Sequence, residues 1–219
     1  MSSSVPPMTD QAAIEVPPAG TAEYFGEAFP LAQRYAEHLA TTGAEWGLIG
    51  PRELDRLWSR HILNCAVVAE FVGDGDVVGD VGSGAGLPGI PIALMRPNAK
   101  VVLIEPMERR VEWLKMVVDD LGLDNVRIVR ARVEDLADEE MFTVVTARAV
   151  KAMGTLIDWT HEVIGPEGRI LALKGESVEG ELVKAKKLLK RYRFGQPRIH
   201  LVDGGILEVP SRVVEIAKK

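Results

Sequence analysis

The segment Asp80–Gly89 reads Asp-Val-Gly-Ser-Gly-Ala-Gly-Leu-Pro-Gly and closes an apolar run at residues 77–81. Four of the eight residues from Gly82 to Gly89 are glycine. Glycine lets the backbone turn sharply and lets a ligand lie against the main chain with no side chain between. Two frames compete for this turn. Gly84, Gly86 and Gly89 fit the dinucleotide fingerprint, with an acid, Glu105, 21 residues on from Gly84. Counted from Asp80, the turn is instead acid-x-Gly-x-Gly-x-Gly. A dinucleotide would set its pyrophosphate at the helix start, where the Asp80 carboxylate repels it. S-adenosylmethionine has no phosphate and carries a sulfonium and an ammonium, so an acid at its methionine end attracts it directly or through water. Asp80, Gly82, Gly84 and Gly86 therefore point to adenosylmethionine, with NAD as the competitor.

Other positions extend the same site. Glu105 ends the second apolar run, 101–105, and suits two ribose hydroxyls; a helix-start carboxylate is the plainer role. Ala131-Arg132-Val133-Glu134 follows the third run, where main-chain groups of Val133 and Glu134 can read an adenine edge. After the fourth run stands Thr146-Ala147-Arg148-Ala149, with no Pro-Pro-aromatic turn of the kind used for exocyclic amines. The single cysteine, Cys65, precedes the first run, which argues against a cysteine nucleophile and excludes a cysteine-only metal site. What remains is an acceptor with a free lone pair, such as purine N7, which loses no proton. Proximity and in-line orientation can supply most of such an acceleration. Lys174, ending the fifth run, projects at the same edge and is a candidate substrate contact, or a surface lysine.

These residues need a scaffold that gathers strand ends. Five short apolar runs, 77–81, 101–105, 126–131, 142–147 and 169–174, alternate with helical patterns near 91–96, 108–121, 152–164 and 178–191. Repeated βαβ units predict a doubly wound, mostly parallel sheet covered on both faces. Strand-like stretches 194–202 and 206–217 add a terminal antiparallel pair and bring the count to seven. Residues 22–40 and 51–72 predict two amphipathic helices joined by a loop at 43–50. Four prolines among residues 1–20 predict a disordered leader, followed by a helical extension (21–75) and a ligand-binding domain (76–219).

The chain has 219 residues, 47% hydrophobic and 26% charged, with net charge −6, which fits a globular chain of one domain plus an appendage. No apolar run is long enough to span a membrane, and residues 1–20 lack the basic start of a secretory signal. A cytoplasmic location is expected. Charge is uneven: residues 22–79 hold nine acids against four bases, and residues 165–219 hold seven acids against twelve bases. Lys184, Lys187 and Arg191 share one helical face within that basic end, either as a solvated face or as phosphate contacts. His61 falls on an apolar stripe, which suits a satisfied core histidine; its neighbour Arg60 lies on a more polar face that could meet RNA.

The chain resembles the glucose-inhibited division protein B family, bacterial methyltransferases that modify guanine N7 in small-subunit ribosomal RNA. The likeness is densest at Val81–Pro91 and continues in Arg60-His61-Ile62-Leu63, Arg132-Val133-Glu134, Ala147-Arg148-Ala149 and Leu173-Lys174-Gly175. It departs at Gly47-Leu48-Ile49 and Asn64-Cys65, both in the helical extension. The resemblance implies a class I methyltransferase fold, a cofactor site using Gly82, Leu87, Val133, Glu134 and Arg148, and 16S ribosomal RNA or the small subunit as partner. Arg148 and Lys174 become the catalytic candidates, and Arg60, His61, Lys184, Lys187 and Arg191 the substrate contacts. A small-molecule methyltransferase, a non-enzymatic adenosine-ligand binder and an NAD-dependent oxidoreductase are the alternatives. The first would be favoured if the basic helix and Arg148 faced away from one another.

Overall fold

The computed structural model describes residues 13–149 and 152–219. Most of the expected leader lies outside that range, but residues 13–20 are ordered against the helical extension, contrary to expectation. Glu15 donates its N–H to the Leu54 carbonyl at 2.8 Å, and its carboxylate accepts from the Trp58 and Ser59 N–H groups at 2.7 and 3.0 Å. Free N–H groups at a helix start need such a partner, and here a distant carboxylate supplies it.

The extension begins with α1 (Thr21–Phe25) and α2 (Phe29–His38), continued by a π-helical turn at Leu39–Gly43. Its second part runs through a 3₁₀ turn (Pro51–Arg56), a π-wound turn (Leu57–Leu63), α3 (Asn64–Ala66) and another 3₁₀ turn (Val67–Phe71). Wider and tighter turns replace a regular pitch, and Leu57, Trp58, His61, Ile62 and Leu63 are all buried.

Seven strands follow: β1 (Val77–Val81), β2 (Lys100–Ile104), β3 (Val126–Val129), β4 (Phe142–Arg148), β5 (Ile164–Lys174), β6 (Arg198–Val202) and β7 (Ser211–Ala217). Their spatial order is β3-β2-β1-β4-β5-β7-β6, parallel except that β7 is antiparallel to both neighbours. Between them lie α4 (Gly89–Met95), α5 (Glu108–Leu121), α6 (Met153–Thr160) and α7 (Val178–Arg191). The helix expected to reach residue 164 stops at Thr160, and Ile164 already opens β5.

The sheet divides two cores. Val78, Leu103, Val144 and Leu171 pack toward α4, α5 and the extension, whereas Val102, Ile104, Val145 and Ile170 pack toward α6 and α7. Alternate residues of each strand thus enter opposite layers, as a sheet buried on both faces requires. Strand order reverses between β1 and β4, so the crevice of this fold opens at the carboxyl ends of those strands. Among the described residues no helix is long and apolar enough to cross a membrane.

Candidate active site

The glycine turn sits on the carboxyl end of β1. Gly82, Gly84 and Gly86 have φ of 68°, 56° and 82°, a left-handed path that side chains resist. Most of its N–H groups are already engaged. Gly82 and Ser83 donate to the Ile104 carbonyl, Gly86 and Leu87 to the Ser83 carbonyl, and Ile90 to the Gly86 carbonyl. Gly84 donates to the Glu105 carboxylate and Gly89 to the Asp80 carboxylate, both at 3.0 Å. A pyrophosphate needs free N–H donors at this place, and the turn offers it two carboxylates instead. The dinucleotide frame therefore fails on geometry as well as on charge.

Asp80 is fully buried; one carboxylate oxygen holds Gly89, while Oδ1 has no hydrogen-bond partner. Burial pushes its pKa up to about 7, against the Gly89 N–H, the neighbouring Ser83 hydroxyl and the Arg148 charge, which pull it down. An unpaired buried carboxylate oxygen beside a bare glycine backbone fits a ligand that carries positive charge and offers donors. Glu105, buried at the end of β2, also accepts from the Met107 N–H at 3.0 Å, and Arg110 lies 3.5 Å away. Next along the edge, Val133 is buried and Glu134 exposed at the head of the turn Val133–Leu136. Asp80, Glu105 and Val133–Glu134 thus occupy successive strand ends, β1, β2 and β3. Leu87, buried in the glycine turn, completes this side of the site.

Beyond Asp80 the edge opens into a cleft of about 1200 Å³ bordered by Arg60, His61, Arg148, Lys174, Glu181 and the 206–210 loop. Arg148 closes β4, and the next residue, Ala149, has φ 55°, so the chain turns away sharply after it. Its Nη1 donates to His61 Nδ1 at 2.8 Å, and His61 Nε2 meets Glu53 Oε2 at 2.8 Å. Burial first, then the Arg148 charge, lowers the His61 pKa against the pull of Glu53. Glu53 also binds Arg56 at 2.7 Å and Arg60 at 3.4 Å. Although burial opposes it, the bonds from His61 and Arg56 hold the Glu53 carboxyl below its usual range. On the other wall, Lys174 Nζ meets Glu181 Oε2 at 3.0 Å, and the same oxygen accepts from the Met153 N–H that opens α6.

Several expected residues take different places. His61 has both ring nitrogens engaged and stands behind Arg148, not as an open RNA contact. Lys174 is largely buried and ion-paired, so it is no surface lysine. Lys184, Lys187 and Arg191 are exposed on α7, and none borders the cleft. The helix starts at the carboxyl edge and runs back across the sheet, about 20 Å by its length, carrying these bases away from Arg148. The cations of the cleft are Arg56, Arg60, Arg148 and Lys174. Cys65 is fully buried, and burial raises its thiol pKa to about 12, which leaves no thiolate for covalent chemistry.

Two structural partners escaped sequence reasoning. Glu53 reads as one surface acid among many in a helical turn. Tyr35 looks like an ordinary core aromatic, yet its hydroxyl donates to the Ala85 carbonyl at 2.6 Å from full burial. The extension thereby props the crest of the glycine turn, and only spacing along α2, which buries Ala32, Tyr35 and Ala36 together, hints at it.

Known proteins resemble this chain in sequence and in fold. A curated protein of Pseudarthrobacter chlorophenolicus, named ribosomal RNA small subunit methyltransferase G, is 50% identical over 192 residues, 88% of this chain and 89% of its own. One of the same name from Mycobacterium sp. (strain JLS) is 50% identical over 202 residues, covering 91% of this chain and 89% of its own. Among solved structures, M. jannaschii TYW2 in complex with AdoMet superposes with TM-score 0.58 at 20% identity, covering 72% of this chain and 74% of that one. Precorrin-6y C5,15-methyltransferase from Geobacter metallireducens gives TM-score 0.54 at 19% identity, over 72% and 87%. These two share the fold. The family profile described as rRNA small subunit methyltransferase G matches residues 29–205, and the chain belongs to that family, GidB.

Proposed function

We propose that this protein methylates N7 of a guanine in 16S ribosomal RNA, working in the cytoplasm with S-adenosylmethionine held at the glycine turn. Bound there, the cofactor supplies an electrophilic methyl group. Asp80 faces its cationic methionine end, Glu105 takes the ribose hydroxyls, and Val133 and Glu134 border the adenine. The observation that carries the reaction type is the state of the groups between the walls. Of the titratable groups lining the cleft, Glu15, Glu53, His61 and Glu181 are engaged in hydrogen bonds or ion pairs, Glu208 stands exposed on the outer 206–210 loop, and arginine cannot act as a base at neutral pH. A site so arranged suits an acceptor that has a lone pair and no proton to shed. Arg148 and Lys174 are the cations nearest the reacting groups. They suit guanine O6, a flanking phosphate or the cofactor carboxylate, through charge-assisted bonds. The direction of α7, taken alone, would suit a small-molecule acceptor. The cations of the cleft itself and identity of about 50% to the curated relatives support ribosomal RNA as the substrate class instead. The test is incubation with methyl-labelled cofactor and small subunits that lack the modification. Label should enter the RNA, whereas label confined to small molecules would oppose the proposal.

Glu105→Ala should weaken cofactor affinity roughly tenfold or more, since two charge-assisted bonds are each worth about 1.5–3 kcal/mol. Calorimetry reads this directly, and an unchanged affinity returns Glu105 to a purely structural role.

The outer bases of α7 act elsewhere in this reading. Lys184, Lys187 and Arg191 have no acidic partner among the described residues and lie well outside the cleft, a position suited to the flanks of a large RNA. Neutralising all three should flatten the salt dependence of RNA binding, by about 0.7 in logarithmic slope for each phosphate no longer neutralised, with cofactor affinity untouched. A parent-like salt profile would make that face merely solvated.

A further inference from the structure

His61 and Arg148 are 87 residues apart in sequence and 2.8 Å apart in space. Guanidinium carries only donors, so the ring nitrogen it meets must be bare. That fixes the tautomer: Nδ1 accepts from Arg148, and Nε2 keeps the proton and donates to Glu53 Oε2 at 2.8 Å. Glu53 is in turn fixed by Arg56 at 2.7 Å and Arg60 at 3.4 Å. The bonds therefore run in one direction, from guanidinium through neutral imidazole to carboxylate. We infer that His61 and Glu53 are positioning residues that hold the Arg148 guanidinium at the cleft mouth, and that they do so only while the His61 ring is neutral. This inference rests on the proposed methyl transfer and adds a control on the residue that faces its acceptor.

A long arginine side chain is poorly placed by itself, because it samples many rotamers. A buried acceptor at Nη1 selects one arrangement before substrate arrives, which is how a site achieves preorganisation. Protonation of His61 would set an N–H at Nδ1 against the donating Nη1, with like charges in contact, and Arg148 would be expelled. The charged groups around the ring are Glu53 and Arg56 from the preceding 3₁₀ turn, Arg60 from its own turn and Arg148 from β4. Asp80 lies beyond Arg148, and the Lys174–Glu181 pair forms the opposite wall of the cleft. Burial and Arg148 both place the His61 titration below its ordinary value, so the ring is neutral at physiological pH. The arrangement is intact above that lowered value and is lost as pH falls through it.

Three variants and three readouts test this. His61→Asn keeps an acceptor oxygen near the Nδ1 position but cannot titrate, His61→Leu removes the acceptor, and Glu53→Gln keeps an acceptor for Nε2–H without its charge. Single-turnover methyl transfer to small-subunit RNA is followed from about pH 5.5 to 8.5 at saturating cofactor, beside calorimetric cofactor affinity and nitrogen NMR of the ring. The parent should lose rate in acid, and that limb should vanish in His61→Asn, which otherwise retains most of the neutral-pH rate. His61→Leu should be slower by about tenfold or more across the range while its melting curve confirms a folded protein. Glu53→Gln should shift the acid limb to lower pH, because the protonated ring loses the counter-charge that favours it. Asp80 also titrates near this range, but it acts through cofactor affinity, so any limb it causes persists in His61→Asn. An identical acid limb in parent and His61→Asn, a parent-like rate in His61→Leu, or NMR showing Nδ1 protonated at neutral pH overturns the inference. If the parent labels no RNA, the methyl-transfer reading fails, while the NMR tautomer still decides whether the ring is arranged as inferred.

Discussion

Replacing Arg148 with alanine is expected to slow methyl transfer by about two to three orders of magnitude, the usual cost of deleting one preorganised charged donor from a dry site. The expectation follows from placement. Arg148 ends β4 at the strand-order reversal and borders the cleft, with Asp80 within electrostatic reach. The variant should fold, because the side chain is only half-buried, though His61 Nδ1 then lacks its donor, a loss worth about 1–3 kcal/mol of stability. Cofactor affinity should fall as well if the guanidinium reaches the cofactor carboxylate. Single-turnover rates at saturating cofactor separate the two effects. A parent-like rate would move the chemistry away from this cleft.

Asp80→Asn is expected to act in opposite directions on stability and on binding. The buried carboxyl titrates near 7 in the folded protein and at its ordinary acidic value when unfolded. A group whose folded pKa is raised favours the folded state fully below the unfolded pKa, and that contribution is lost as pH rises through the folded one. For Asp80 this amounts to about 4 kcal/mol at most between pH 4 and pH 8, reduced by any relaxation around the site. The parent without cofactor should therefore lose melting temperature over that interval through this group, and the asparagine variant should lack that part of the slope. Its affinity for adenosylmethionine should nevertheless drop by about tenfold or more, since the cation of the ligand then meets a neutral amide. A variant that binds as the parent does would detach Asp80 from the methionine end. Equal pH slopes would show that the carboxylate finds a partner in the unliganded protein.

Much of this site is legible in the residue types alone. A glycine cluster at a strand end encodes its own backbone path, because few residues tolerate the left-handed conformation at Gly82, Gly84 and Gly86. Strong apolar periodicity likewise marks α5 at Glu108–Leu121 and α7 at Val178–Arg191. Boundaries blur where period and winding part company. The π and 3₁₀ turns between Pro51 and Phe71 bury residues that a regular pitch would space apart. Near Pro166, Glu167 adopts φ 64° inside β5, so the strand continues through a stretch that reads as a break. Pairings between distant residues are not legible. Nothing local couples His61 to Arg148, or Tyr35 to a carbonyl 50 residues later. The basic run of α7 is plain, but its direction follows from the parallel topology, which carries the helix away from the edge where Arg148 sits.

Methylation at guanine N7 is tested most directly by the position of the label. Small subunits without the modification are incubated with the protein and methyl-labelled adenosylmethionine, and the RNA is then cleaved chemically at N7-methylguanine. A methyl on N7 leaves the ring cationic and the chain open to borohydride and aniline scission, whereas methyl groups on exocyclic amines or ribose do not. One new scission is expected at a single guanine of the 16S RNA, absent without protein and nearly absent with Arg148→Ala. Label that enters the RNA without creating a scission, or that resides on a pyrimidine or a ribose, would contradict N7 methylation.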